Sequence, residues 1–272
     1  MNSGDSPILD VELTADLLEN IVKPPVKIAV DGLANLRWHE EGLHISSVDA
    51  SNAIVVEQRI PASVFNKYEV NPIEDEIVFG TSCETVSNLL KSANSGDVVS
   101  LNLDTKTNRL DISFSDVNYS LAGVSPDAVD EGEVPELDYA IQAKIHSRVF
   151  QRAQYVVGMV TESVTFEVSS QNLTVSGRGD SDTAEIDVEI VETKEAIDEL
   201  EKNVAATIDR CESPVKSRYS TEYIRYINDF TPSGLMEIRL SEDYPLYINI
   251  QRANGRIDSE IIIAPRMDNS SN

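Results

Sequence analysis

One pattern used twice constrains this chain more than any other feature. Gly42-Leu-His-Ile-Ser has a downstream counterpart in Asn172-Leu-Thr-Val-Ser, and Ala53-Ile-Val-Val-Glu in Ala184-Glu-Ile-Asp-Val. Leu89-Leu-Lys-Ser-Ala-Asn-Ser-Gly ends an expected helix ahead of a hairpin, and Tyr226-Ile-Asn-Asp-Phe-Thr-Pro-Ser-Gly does the same. Between the copies, residues 125–138 hold two prolines, one glycine and six acids, which is linker composition. A repeat of this kind implies two similar modules with internal pseudo-symmetry, and 272 residues suffice for two modest domains. The expected boundaries are a first domain at 1–124, a connector at 125–138, a second domain at 139–268 and a short tail at 269–272.

Each half reads as α+β, with two helices and a large, mostly antiparallel sheet. In the first half, residues 8–14 alternate apolar and polar as a strand does, and 16–22 start a helix. Pro24 and Pro25 predict a break there, with a second helical stretch over 26–36. Strands are expected at 42–47, 53–56 and 76–80, a helix at 83–93, and a hairpin over 98–114 that turns at 105–108. In the second half, a strand at 139–145 precedes a helix at 147–157 capped by Ser147. Strands at 163–168, 172–176 and 184–190, a helix at 219–230, a hairpin of 236–240 with 246–251, and a strand at 256–263 complete it. Residues 192–211 read as a charged surface helix or loop with no functional role.

The chemistry of an enzyme is not visible. His39, His44 and His146 have no metal-ligand spacing with cysteine or carboxylate. The phosphate-binding and nucleophile motifs of the common enzyme folds do not occur. Close acid pairs such as Asp180/Asp182 are expected by chance among 47 carboxylates. No catalytic residue, metal or cofactor is therefore expected, with an acidic metal-dependent hydrolase as a minor alternative. Cys83 and Cys211 lie far apart, which suits a reducing compartment. Met1 to Pro7 lack a signal pattern, and no apolar run of about 18 residues suggests a membrane span. The expected location is intracellular, in the cytoplasm or nucleoid of a prokaryote or an infected host cell.

The net charge of −25 argues against a nucleic-acid partner if taken alone. Acidic surfaces also serve solubility and salt adaptation, and arginine outnumbers lysine 13 to 9. Where the 22 basic residues sit is what decides between these readings.

The stretch Trp38-His-Glu-Glu-Gly-Leu-His-Ile-Ser-Ser-Val-Asp-Ala-Ser-Asn resembles the proliferating cell nuclear antigen family of DNA sliding clamps. Phe79-Gly with Leu89-Leu-Lys, Pro214-Val to Tyr223 with Asp243-Tyr-Pro-Leu, and Ile263-Ala-Pro-Arg-Met resemble further family segments in the same order. The resemblance implies a DNA clamp fold of two similar domains per chain, closed into a homotrimeric ring with helices lining the hole and antiparallel sheets outside. It implies a processivity factor that encircles double-stranded DNA without reading its sequence. A clamp loader would open the ring, and DNA polymerase and other replication and repair proteins would bind it. A clamp paralogue that acts as an interaction or heterotrimer subunit is the alternative.

The resemblance also implies sites. On the expected inner helices stand Lys23, Lys27, Lys91, Arg148, Arg152 and Arg225, so three subunits would present about eighteen cations to phosphate. Asn88, Tyr155, Glu222 and Asp229 stand where clamps often place a cation. A groove for partner peptides would use Val48, Asn52, Ala53, Val55, Val134, Pro135, Pro245, Ile262, Ala264, Pro265, Arg266 and Met267. Gly132, where family linkers often carry a large aliphatic residue, implies a shallower groove or a more mobile linker. Subunits would join through Val117, Tyr119 and Leu121 on one edge strand and Thr183, Ala184, Ile186 and Val188 on another. No ion-pair interface is visible there, so closure is expected to lean on backbone pairing and apolar contact.

Overall fold

The computed structural model describes residues 9–72, 75–104, 106–199 and 204–266. The segment before Leu9, Met267 and the expected tail at 269–272 lie outside these residues. The first half runs β1 (Leu9–Thr14), α1 (Ala15–Ile28), β2 (Leu33–His39), β3 (Gly42–Val48), β4 (Ile54–Pro61), β5 (Lys67–Val70), β6 (Ile77–Ser82), α2 (Cys83–Leu90), β7 (Val98–Asp104), β8 (Arg109–Phe114) and β9 (Val117–Ala122). The second half runs β10 (Ile141–His146), α3 (Arg148–Arg152, with a wider turn at Ala153–Val157), β11 (Ser163–Val168), β12 (Leu173–Arg178), β13 (Thr183–Ile190), α4 (Lys194–Glu199), β14 (Ala205–Cys211), β15 (Val215–Ser220), α5 (Thr221–Phe230), β16 (Leu235–Leu240), β17 (Leu246–Arg252) and β18 (Ile257–Ile263). Apart from α4, each half is one strand, a helix, five strands, a helix and three strands. The letter matches fall on equivalent elements: β3 with β12, β4 with β13, α2 with α5.

The chain forms two compact units that do not follow sequence order. The first holds residues up to Asn52, Val56–Glu133 and Arg252–Ser259; the second holds Ala53–Val55, Val134–Gln251 and residues from Glu260 on. In the first unit, an antiparallel sheet of order β5-β1-β7-β8-β9 lies beside strands in the order β4-β3-β2-β6. Leu9, Val11 and Leu13 alternate inward from β1 and join Leu17, Leu18, Ile21 and Val22 of α1 in one core with Trp38 and Phe79. In the second unit the order is β15-β11-β12-β13-β14-β10-β16-β17, antiparallel except for the β13–β14 pair.

Four expectations are corrected. The first concerns α1, which passes through Pro24 and Pro25 without a break. Prolines at these positions remove the amides that would bond the carbonyls of Asn20 and Ile21, four residues earlier. Side chains supply the missing donors. Arg252 Nη2 donates to the Asn20 carbonyl, and Gln58 Nε2 donates to the Ile21 carbonyl at 3.0 Å. The helix ends at Ile28, Asp31 and Gly32 turn the chain at positive φ, and Leu33 starts β2. The expected second helix over 26–36 is therefore mostly turn and strand.

Second, residues 192–211 are not surface filler. Ile197 of α4 and Ala205 and Ala206 of β14 are buried, and β14 lies inside the sheet between β13 and β10. Third, Ser147 does not cap α3. Its Oγ accepts from Gly234 N at 3.2 Å, while His146 Nδ1 accepts from Arg148 N at 3.1 Å.

Fourth, the acidic connector is pinned rather than loose around Gly132. Ser46 Oγ donates to the Gly132 carbonyl at 2.5 Å and accepts from Gly132 N at 3.1 Å. Arg37 grips Glu131 with two bonds, Nε to Oε1 at 2.9 Å and Nη2 to Oε2 at 2.6 Å. Asn35 Nδ2 adds bonds to Glu131 Oε2 at 3.0 Å and to the Pro126 carbonyl at 3.1 Å. The Arg37 guanidinium holds the Glu131 carboxyl below its ordinary value.

Replacing Gln58 with Met leaves the buried Ile21 carbonyl without this donor and is expected to cost about 1–3 kcal/mol in denaturant unfolding. In a Pro25→Ala background the same change is expected to cost less, because the new amide can bond Ile21. A second expectation concerns acid. Glu131 binds protons more weakly folded than unfolded, so its contribution is complete above the ordinary carboxyl pKa of about 4.3 and is lost as pH falls through the lower folded value. Hydrogen exchange across residues 126–133 is expected to accelerate in that acid window, and Glu131→Gln to remove that pH dependence.

Candidate nucleic-acid interface

In each unit two helices pack together and carry the basic residues singled out from sequence. In the first unit α1 packs on α2. The apolar side of α1, with Leu17, Leu18, Ile21, Val22 and Ile28, faces the core. That leaves Lys23 half-buried and Lys27 exposed, one helical turn apart. Lys91 caps the C-terminus of α2, where a cation complements the helix dipole, and its Nζ donates to Asn88 Oδ1 at 2.7 Å.

In the second unit α3 packs on α5. Val149 and Phe150 turn inward while Arg148 and Arg152 are exposed, again one turn apart. Arg225 is exposed on α5 but already engaged. Its Nη2 lies 3.5 Å from Glu222 Oε1 and its guanidinium sits over the Tyr226 ring at 5.4 Å. The Tyr226 hydroxyl also donates to Glu222 Oε1 at 2.7 Å, and that bond raises the phenol's pKa. Arg225 and Glu222 thus present a near-neutral pair, and Asp229 is exposed further along the same helix. Beyond Arg152, Tyr155 and Met159 are 71% and 81% exposed, so apolar surface continues past the two arginines.

The expected partner-groove residues differ in accessibility. In the first unit Val48 is only 1% exposed and belongs to the interior. Asn52 is exposed at a turn with φ 54°. In the second unit Val134 and Ile262 belong to a small apolar cluster with Tyr139, Tyr244 and Tyr247. The Tyr139 and Tyr244 rings meet edge-on at 5.7 Å, and Arg239 lies over Tyr247 at 4.5 Å. From the Asp243–Leu246 stretch the sequence offered only Pro245 as a groove residue, and these three tyrosines were missed as a group. Ala264 N bonds the Ala53 carbonyl at 2.8 Å, while Val55, Pro135, Pro245 and Pro265 are at least partly exposed. Arg266 is tied down: its Nη1 donates to Ser163 Oγ at 2.7 Å and to the Glu162 carbonyl at 3.0 Å.

Of the two expected joining strands, one is a sheet edge and the other meets its outer neighbour only at its end. β9 ends its sheet. β13 pairs with β12 along Thr183–Val188 and meets β14 only at Glu189 and Ile190. Leu121, Ile186 and Val188 turn inward, so their side chains serve the cores. Val117, Tyr119, Thr183 and Ala184 keep outward surface, with Tyr119 42% exposed. A cation stands on the neighbouring strand, β8. Arg109 of β8 donates to Ser120 Oγ at 2.8 Å and to the Ser120 carbonyl at 2.6 Å.

Among the described residues, no cluster of three or more His, Cys, Asp and Glu side chains could hold a metal ion. Burial pushes the Cys83 thiol up to about 12, so it does not ionise near neutral pH. Among the same residues, no helix is long and apolar enough to cross a membrane.

Models of the proliferating cell nuclear antigen N-terminal and C-terminal domains match residues 12–131 and 133–262. A DNA polymerase sliding clamp of Natronomonas pharaonis is 28% identical over 246 residues, covering 89% of this chain and 92% of its own. That of Haloarcula marismortui is 26% identical over 257 residues, covering 94% and 97%. A solved structure described as the C-terminal region of FEN-1 bound to A. fulgidus PCNA shares the fold with a TM-score of 0.81 at 24% identity, covering 96% of this chain and all of that one. With both domain models matched in order and the doubled α+β architecture in place, this chain belongs to the proliferating cell nuclear antigen family.

Proposed function

We propose that this chain is a DNA sliding clamp that closes into a homotrimeric ring around duplex DNA. The carrying observation is that both units place cations on a packed helix pair, in a protein whose net charge is −25. Enclosure needs only weak, sequence-independent phosphate contacts, because the ring cannot leave a closed duplex. The names of the relatives support this reading. The role is topological and requires no turnover. A loader would open the ring, and clients such as polymerase would dock by a short peptide, as the FEN-1 C-terminal region does on the A. fulgidus protein. Val134 and Tyr244, half-buried against the Tyr139, Tyr247 and Ile262 cluster, offer apolar surface for peptide anchors, each worth roughly 1.5–3 kcal/mol when buried.

Ring closure is supported by the β9 edge and by the stretch of β13 that precedes its short pairing with β14. Unpaired strand edges invite pairing with another chain. Glu185 and Asp187 are exposed on β13, and Arg109 beside β9 is their electrostatic complement in a neighbouring copy. Tyr119 adds apolar area. At molar salt, charge attraction is screened within about 3 Å, so the backbone ladder and apolar contacts would hold the ring there.

The loaded protein is expected to remain on closed circular DNA and to slide from linear DNA; loss from both would sink the clamp reading. Sedimentation over roughly 0.2–3 M salt is expected to find trimers, and Arg109→Glu with Tyr119→Ala to shift the population to monomers. Monomers throughout for the unaltered protein would count against the ring.

A further inference from the structure

Helix α1 is continuous where its sequence argues against it. A residue before proline is pushed out of the helical region by the proline ring, and both Lys23 and Pro24 precede a proline. Each proline also lacks the amide that ties one turn to the next. Yet Ala15–Ile28 is one helix, and Lys23 and Lys27 keep helical spacing opposite the buried side.

What replaces the amides comes from far along the chain. Arg252 is completely buried. Its Nη2 donates to the Asn20 carbonyl, and its Nη1 donates to Gln58 Oε1 at 2.7 Å and to Ser259 Oγ at 3.3 Å. Gln58 in turn donates to the Ile21 carbonyl. One residue cluster therefore serves both carbonyls that the prolines leave open. Four residues on, Arg256 Nη2 holds Asp16 Oδ2 at 2.9 Å and so ties the first turn of the same helix. Burying a guanidinium is costly, and burial pushes this one down to about 10, still charged at neutral pH. An apolar side chain of similar length would fill the space more cheaply, but it could not donate to Asn20. A guanidinium offers a rigid fork of donors that reaches the helix and Gln58 together.

We propose that Arg252 is a positioning residue for DNA contact: its guanidinium stands in for the missing amide of Pro24 and thereby sets where Lys23 and Lys27 meet phosphate. This rests on the DNA reading proposed above. Without the anchor, α1 would break at Lys23 and Lys27 would leave the helical row.

The test measures association with a short linear duplex as a function of salt, for the trimeric protein. Arg252→Met is expected to weaken association about three- to tenfold at low salt and to make the logarithmic salt dependence shallower by about one. In a Lys23→Ala/Lys27→Ala background it is expected to add nothing. Pro24→Ala returns an amide to face Asn20 and is expected to restore the salt dependence of Arg252→Met, which a role in packing alone would not allow. Unchanged association for Arg252→Met, while Arg148→Ala/Arg152→Ala weakens it, overturns this inference and leaves the DNA reading standing. An undiminished loss in the background lacking both lysines overturns it too. No change in any of the cation variants overturns both readings. If Arg252→Met does not fold, Arg252→Met/Pro24→Ala is compared with Pro24→Ala alone: equal salt dependence supports the inference, and a further loss overturns it.

Discussion

A helix with two consecutive prolines holds together only if something else bonds its open carbonyls, and the first unit is arranged around that demand. Ile21 is fully buried and Asn20 partly buried, so water has restricted access to their carbonyls. An unmet carbonyl there would cost about as much as several good apolar contacts return. Arg252 and Gln58 meet the demand from two different strands. Because α1 is continuous, Leu17, Leu18, Ile21 and Val22 share one core with Leu9, Val11 and Leu13 of β1. The packing of the unit, and the row of lysines on its outer side, both follow from a few polar bonds at its centre.

Much of the architecture was legible in the sequence because it is periodic. Alternation marked β1, β3, β7 and β8, and the repeated letters aligned equivalent elements of the two halves. What escaped was non-local or masked. The donors that rescue α1 lie 37 and 232 residues away from their acceptors, so local rules for proline predicted a break. Residues 192–211 looked like surface because charge dominates them, yet Ala205 and Ala206 are small enough to fit an interior strand. The Gly132 contact was invisible because it runs through backbone atoms to Ser46, 86 residues away.

The candidate sites were legible in part, for reasons that differ by residue. Exposed cations on amphipathic helices can be found from spacing, and Lys27, Arg148 and Arg152 stand in the open. The pairing of Arg225 with Glu222 follows from their i, i+3 spacing, which the sequence already contained. Period-two alternation likewise put Ile186 and Val188 on one face of β13, but it also put Tyr119 and Leu121 on one face of β9, where only Leu121 is buried. Arg109 was overlooked because it sits on the neighbouring strand rather than on the edge itself. The tyrosine cluster joins residues from three separate segments, and nothing in one segment announces the others.

The hairpin end at Arg252–Ser259 reverses the usual order of events during synthesis. A domain at the start of a chain ordinarily folds while the rest is still being made. Here the first unit lacks a buried member of its core, Ile257, until the ribosome has passed Ser259, after most of the second unit has been made. The second unit has most of its strands in hand before that. The part made first is thus among the last to be completed, and an early-terminated chain would leave the N-terminal half, not only the C-terminal half, exposed to chaperones and proteases.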